Sequence, residues 1–68
     1  MKRYCINRVQ QLTGEHEIHE VNCYFAPHLS NRIDLGWCSS DFEAFQKAKS
    51  YYSNVDGCRC CCPAIHKR

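Results

Sequence analysis

The 68-residue chain is expected to form one small α+β domain: a three-stranded antiparallel sheet, one amphipathic helix and a cysteine-rich C-terminal tail, stabilised by zinc. Three observations point there. Leu, Ile, Val and Phe number 13 of the 68 residues, and so thin a core rarely supplies more than roughly 3–5 kcal/mol, so a staple is needed. Helical periodicity is confined to one stretch, while the segments before it alternate or favour strands. Seven residues are cysteine, and four of these fall between Cys58 and Cys62.

Tyr4, Ile6 and Val9 favour a first strand over residues 3–9, and the polar run from Gln10 to Glu15, with Gly14, marks a turn. His16 to His19, with Ile18, resumes an extended pattern and completes an antiparallel hairpin. Asn22 to Asn31 contains Pro27 and Ser30, has no periodic apolar face, and reads as a loop. Ile33, Leu35 and Trp37 alternate with Asp34 and Gly36, which predicts a third strand with one buried face. Trp37 is expected under the helix.

Ser40 and Glu43 have the spacing of a capping box, which satisfies two otherwise orphaned amides and starts a helix at about Asp41. At 100° per residue Ala44, Phe45, Ala48, Tyr51, Tyr52 and Val55 fall within an arc of about 120°. The helix is therefore expected to run to about Asn54, with Tyr51 and Tyr52 in the core. Gly57 is placed to terminate it.

The longest apolar run, Tyr24-Phe25-Ala26, is far short of the ~20 residues that cross a bilayer, so no membrane span is expected. The amino terminus has a basic start but no apolar segment or cleavage site of a secretory leader, which points to a cytoplasmic, reducing address. In that compartment clustered cysteines serve as metal ligands or redox thiols more often than as disulfides, and an odd count of seven argues against a closed set of bridges. The net charge of +2 neither demands nor forbids a polyanion partner.

His19 and Cys23 form a His-x3-Cys pair, and Cys58 and Cys61 a Cys-x2-Cys pair. One imidazole and three thiolates are a common ligand set for tetrahedral structural zinc. Two intervening residues let both sulfurs of the second pair turn back onto one ion. The first pair asks for more, because on a straight strand its members lie about 13 Å apart at ~3.3 Å per residue. The strand must therefore end near His19, and Asn22 suits a bend. Cys60, Cys62 and His66 are left open: Cys60 can replace Cys58 or Cys61, Cys62 and His66 make a Cys-x3-His pair, and adjacent thiols beside Arg59 suit exchange or soft-metal capture. Cys5 and Cys38 read as small buried hydrophobes. Glu15, Glu17 and Glu20 read as a solvated strand face, and His28 and His66 as exposed.

The run His19-x3-Cys23, Phe25, Asn31-Arg32, Leu35-Gly36-Trp37, Ser39, Glu43-Ala44 and Gly57-Cys58-x2-Cys61 with Pro63 resembles a set of short, uncharacterised bacterial proteins ending in Asp-Gly-Cys-x2-Cys. More remotely it is similar to the zinc-binding module at the amino terminus of the Ada DNA-repair methyltransferase. The resemblance covers about residues 18–63 and implies His19, Cys23, Cys58 and Cys61 as zinc ligands. The chain is thus expected to be a zinc-stabilised binding or adaptor module, without catalysis, for an unidentified protein or nucleic-acid partner. The alternative is a thiol-reactive protein (redox sensor, soft-metal or alkyl-group acceptor) using Cys60, Cys61 and Cys62. A third reading is weak nucleic-acid binding through Lys47, Lys49, Lys67 and Arg68. An exposed sheet edge also leaves pairing with a second copy open.

Overall fold

Alternation of Tyr4 and Ile6 with Arg3, Cys5 and Asn7 makes an extended strand whose two sides have different company, and it lies inside the sheet. In the computed structural model, which describes residues 1–67, this strand is β1 (Lys2–Asn7). It is followed by β2 (His16–Glu20), β3 (Arg32–Cys38), α1 (Asp41–Lys49) and β4 (Val55–Gly57), with 3-10 turns at Leu29–Asn31 and Pro63–Ile65. The Asn7 side chain accepts from the Val9 amide at 2.9 Å, which ends β1 before the expected Val9. Gly14, at φ +97°, completes the turn into β2. The hairpin pairs Tyr4 with Glu20, Cys5 with His19 and Ile6 with Ile18.

The sheet has four strands in the order β3-β1-β2-β4 and is mixed, which corrects the expected three-stranded antiparallel sheet. Its added member is β4, which runs parallel to β2 and matches His16 with Val55, Glu17 with Asp56 and Ile18 with Gly57. The sequence pattern places a helix to about Asn54 with Gly57 as its terminator. Instead α1 stops at Lys49, where the Ser50 amide donates to the Lys47 carbonyl and the Ser50 hydroxyl to the same oxygen. Ser and Asn compete with helical hydrogen bonds, and here the Asn54 carbonyl accepts the His16 amide instead, opening the parallel ladder. The Tyr52 ring stacks on His16 with centroids 3.6 Å apart. Tyr51, expected in the core, is 52% exposed because the helix ends before it.

Gly57 terminates nothing: it lies inside β4, where a Cβ would come 2.4 Å from Ile65 Cγ1 and 2.7 Å from the Cys62 carbonyl oxygen. It is glycine because the tail crosses directly over it.

The start of α1 follows expectation in part. Ser40 Oγ accepts from the Glu43 amide at 3.1 Å. The Glu43 carboxylate reaches back one residue further than a capping box requires, accepting from the Ser39 amide and hydroxyl. The helix covers one face of the sheet. Tyr4, Ile6, Ile18 and Leu35 meet Ala44 and Ala48 there, with Val55, Cys62 and Ile65 closing the cluster. The Tyr4 hydroxyl donates to Asp41 at 2.6 Å, joining sheet to helix.

Trp37 is 59% exposed and faces away from the helix, contrary to expectation. Between Tyr4 and Cys5 the β1–β3 register slips, so that Tyr4 pairs with Gly36 and Cys5 with Asp34, leaving Leu35 as the extra residue of a bulge. Gly36 takes φ +76° at that point. A one-residue slip moves every later side chain to the other face, so Cys38 turns into the core and Trp37 out of it.

Candidate metal centre

The site is built at the C-terminal ends of β2 and β4. Parallel pairing places those two ends side by side. One step beyond Ile18 and Gly57, His19 comes next to Cys58, whose amide donates to the Ile18 carbonyl at 2.9 Å. β2 ends at Glu20, and the Cys23 amide then donates to the Glu20 carbonyl at 3.0 Å, turning the chain back as the His-x3-Cys spacing requires. After Cys58 a second turn, with the Cys62 amide donating to the Cys58 carbonyl at 2.9 Å, returns Cys61 to the same place.

One ligand atom each from His19, Cys23, Cys58 and Cys61 lies within 4.8 Å of the others, so the four can hold a metal ion. The sulfurs of Cys23 and Cys58 are 3.9 Å apart. A tetrahedral ion with Zn–S of ~2.3 Å sets sulfur–sulfur edges of about 3.8 Å, so this separation suits such an ion. All seven cysteines are unbridged.

His19 is 1% exposed. Burial, with the Arg32 guanidinium adding to it, pushes its imidazole down to about 4, so the ring is neutral at pH 7 and retains a lone pair for a ligand. Its Nε2 lies 3.0 Å from a Glu17 carboxylate oxygen, while its Nδ1 is buried with no hydrogen-bond partner. Buried polar atoms are nearly always paired, and an unpaired ring nitrogen on a member of the quartet suits a ligand role. The Glu20 amide donates to Cys61 Sγ at 3.3 Å. Burial raises the Cys61 thiol well above its ordinary value and pushes that of Cys62 up to about 12. Deprotonating Cys61 there calls for a cation at its sulfur.

The tail thiols stand in different surroundings. Cys60 is exposed, Cys61 joins the quartet, and Cys62 is fully buried in the core although its sulfur lies 3.7 Å from that of Cys61. Cys62 and His66 stand outside the quartet, and His66 Nδ1 lies 2.9 Å from the Gly57 carbonyl oxygen and 3.7 Å from Asp56. His66 is therefore half-buried and tied down, which corrects its expected exposure. Cys5 and Cys38 are buried, as expected.

Glu17 and Glu15 correct the reading of a solvated strand face. Glu15 is buried, and Glu17 touches His19 because residues two apart on a strand share a face. That period-two relation was the available signal for Glu17. Of the basic residues, Lys47 donates to the Trp37 carbonyl, and Lys49 and Lys67 both sit over the Phe45 ring, at 5.6 and 5.3 Å. Arg68 lies outside the described residues.

No helix among the described residues is long and apolar enough to cross a membrane. Comparison with family models, curated proteins and solved structures gives no match to this chain.

Proposed function

We propose that the chain is a zinc-stabilised binding module whose ion is structural and whose role is to present a surface rather than to catalyse. The observation that carries this reading is the convergence of one imidazole and three sulfurs within 4.8 Å, the imidazole keeping a buried ring nitrogen with no hydrogen-bond partner. Four protein ligands close a tetrahedral shell and leave no position for substrate, which is the arrangement of structural sites. The donor set of one nitrogen and three sulfurs favours zinc over calcium or magnesium, which take oxygen. Zinc is worth an apparent ~10–16 kcal/mol in small finger peptides at neutral pH, more than a core of this size supplies.

The surface on offer is the face of the sheet turned away from α1. Two clefts of about 390 and 370 Å³ share Arg3, Val21 and Asn22 there, the first bordered by Leu29 and the second by Met1 and Trp37. A protein or nucleic-acid partner would meet that mixture of apolar edge and guanidinium.

The test is elemental analysis of protein purified without added metal or chelator, followed by thermal unfolding with and without a strong chelator. About one zinc per chain and a transition abolished by chelation are expected. An unchanged melting curve in protein free of metal would overturn the reading.

A further inference from the structure

Glu17 lies on β2 two residues before His19, so both side chains project from the same side of the strand, the side opposite α1. A Glu17 carboxylate oxygen stands 3.0 Å from His19 Nε2, and the other ring nitrogen, Nδ1, is buried and unpartnered. The carboxylate is held in place on a strand that is paired on both sides, with β1 and with β4. The two nitrogens of a neutral imidazole have opposite roles, one carrying the proton and the other the lone pair. A carboxylate accepts hydrogen bonds and gives none, so the nitrogen facing it carries the proton. The reverse assignment would aim a lone pair at a carboxylate and leave a buried N–H without an acceptor.

We propose that Glu17 is a positioning residue for the metal centre: it holds His19 in the Nε2–H tautomer and orients the ring so that Nδ1 is the atom offered to the ion. This rests on the reading of the quartet as a metal site. Outer carboxylates of this kind fix a ligand's tautomer and raise its basicity, and their loss typically lowers metal affinity 10–100-fold. The role also accounts for a carboxylate half-withdrawn from water on a strand otherwise free to carry a neutral residue.

The experiment uses the full chain, labelled with 15N and loaded with 113Cd in place of zinc. Long-range proton–nitrogen spectra are expected to show His19 protonated at Nε2 and coupled to cadmium through Nδ1. Cadmium coupled to Nε2 would overturn the proposal. Competition with a chromogenic chelator is expected to show zinc affinity reduced about 10–100-fold in Glu17→Ala and largely restored in Glu17→Gln, whose amide oxygen still accepts. Equal affinities in all three proteins would also overturn it. Should Glu17→Ala fail to fold, the wild-type spectrum decides alone. A chain that takes up neither zinc nor cadmium sinks the metal reading instead, and the tautomer of His19 in that metal-free protein, Nε2–H or Nδ1–H, then decides the role of Glu17 separately.

Discussion

On the helix side of the sheet, Tyr4, Ile6, Ile18 and Leu35 are sealed by Ala44, Ala48, Val55 and Ile65, and what holds that side together is apolar area removed from water. On the opposite side Cys5 lies beside His19 and Glu17 beside Asp56 in the strand register, and the Arg32 guanidinium ties down the loop between β2 and β3 through the Pro27 and Val21 carbonyls. Little there is aliphatic. The two sides share their strands but not their source of stability. A small chain with too few large apolar residues for two covered faces can bury one face conventionally and line the other with polar contacts and a quartet able to hold a metal ion.

Substitutions that strike one side only separate these contributions. Cys58→Ser has the largest expected effect: stoichiometric zinc is lost and the cooperative thermal transition with it, read by elemental analysis and circular dichroism. A Cys58→Ser protein that melts like wild type would show that the outer side needs no ion. Ile6→Ala, on the helix side, is expected to cost about 2–5 kcal/mol in urea unfolding while the zinc-loaded protein still binds one ion per chain. Loss of zinc in Ile6→Ala at temperatures where it remains folded would mean that the two sides are not separable.

Acid addresses the outer side through His19, whose folded value of about 4 lies below the ordinary 6.5. Between those values the unfolded chain binds more protons than the folded one, so stability is present above pH 6.5 and lost as pH falls toward 4. The loss is at most about 3 kcal/mol from this group, and protonation of metal ligands acts in the same direction. Urea midpoints measured across that range check the sign; a midpoint that rises as pH falls would contradict a buried neutral His19. The smallest effect is expected from Ser40→Ala, which removes the cap of α1 and costs about 1 kcal/mol without changing zinc stoichiometry.

The sequence was most legible where the cause of structure was local. The start of α1 after Ser40 and each ligand pair taken alone, His19 with Cys23 and Cys58 with Cys61, follow from spacings of a few residues, and the hairpin of β1 and β2 from a polar stretch between two strand-favouring runs. It was least legible where partners are distant. Val55-Asp56-Gly57 has no pattern of its own, and becomes a strand only because β2 offers a free edge alongside it. Trp37 kept its expected strand but changed faces, because the slip at Leu35 depends on pairing with β1. The sequence suggests a helix terminator at Gly57, whereas its lack of a Cβ is what matters there. The two ligand pairs were visible as motifs, yet the parallel ladder that joins them was not.

That ladder also bears on the order in which the chain assembles. β1 and β2 are joined by only the eight residues 8–15, whereas β4 is separated from β2 along the chain by β3 and α1, so the β2–β4 pairing is the more costly one to close. Cys23 and Cys58 stand 35 positions apart, and closing a loop of that length costs on the order of 3 kcal/mol of chain entropy. His19 and Cys23 thus wait as an early half-site for a late one, and an ion captured by both would act as the clasp that makes the last strand stay.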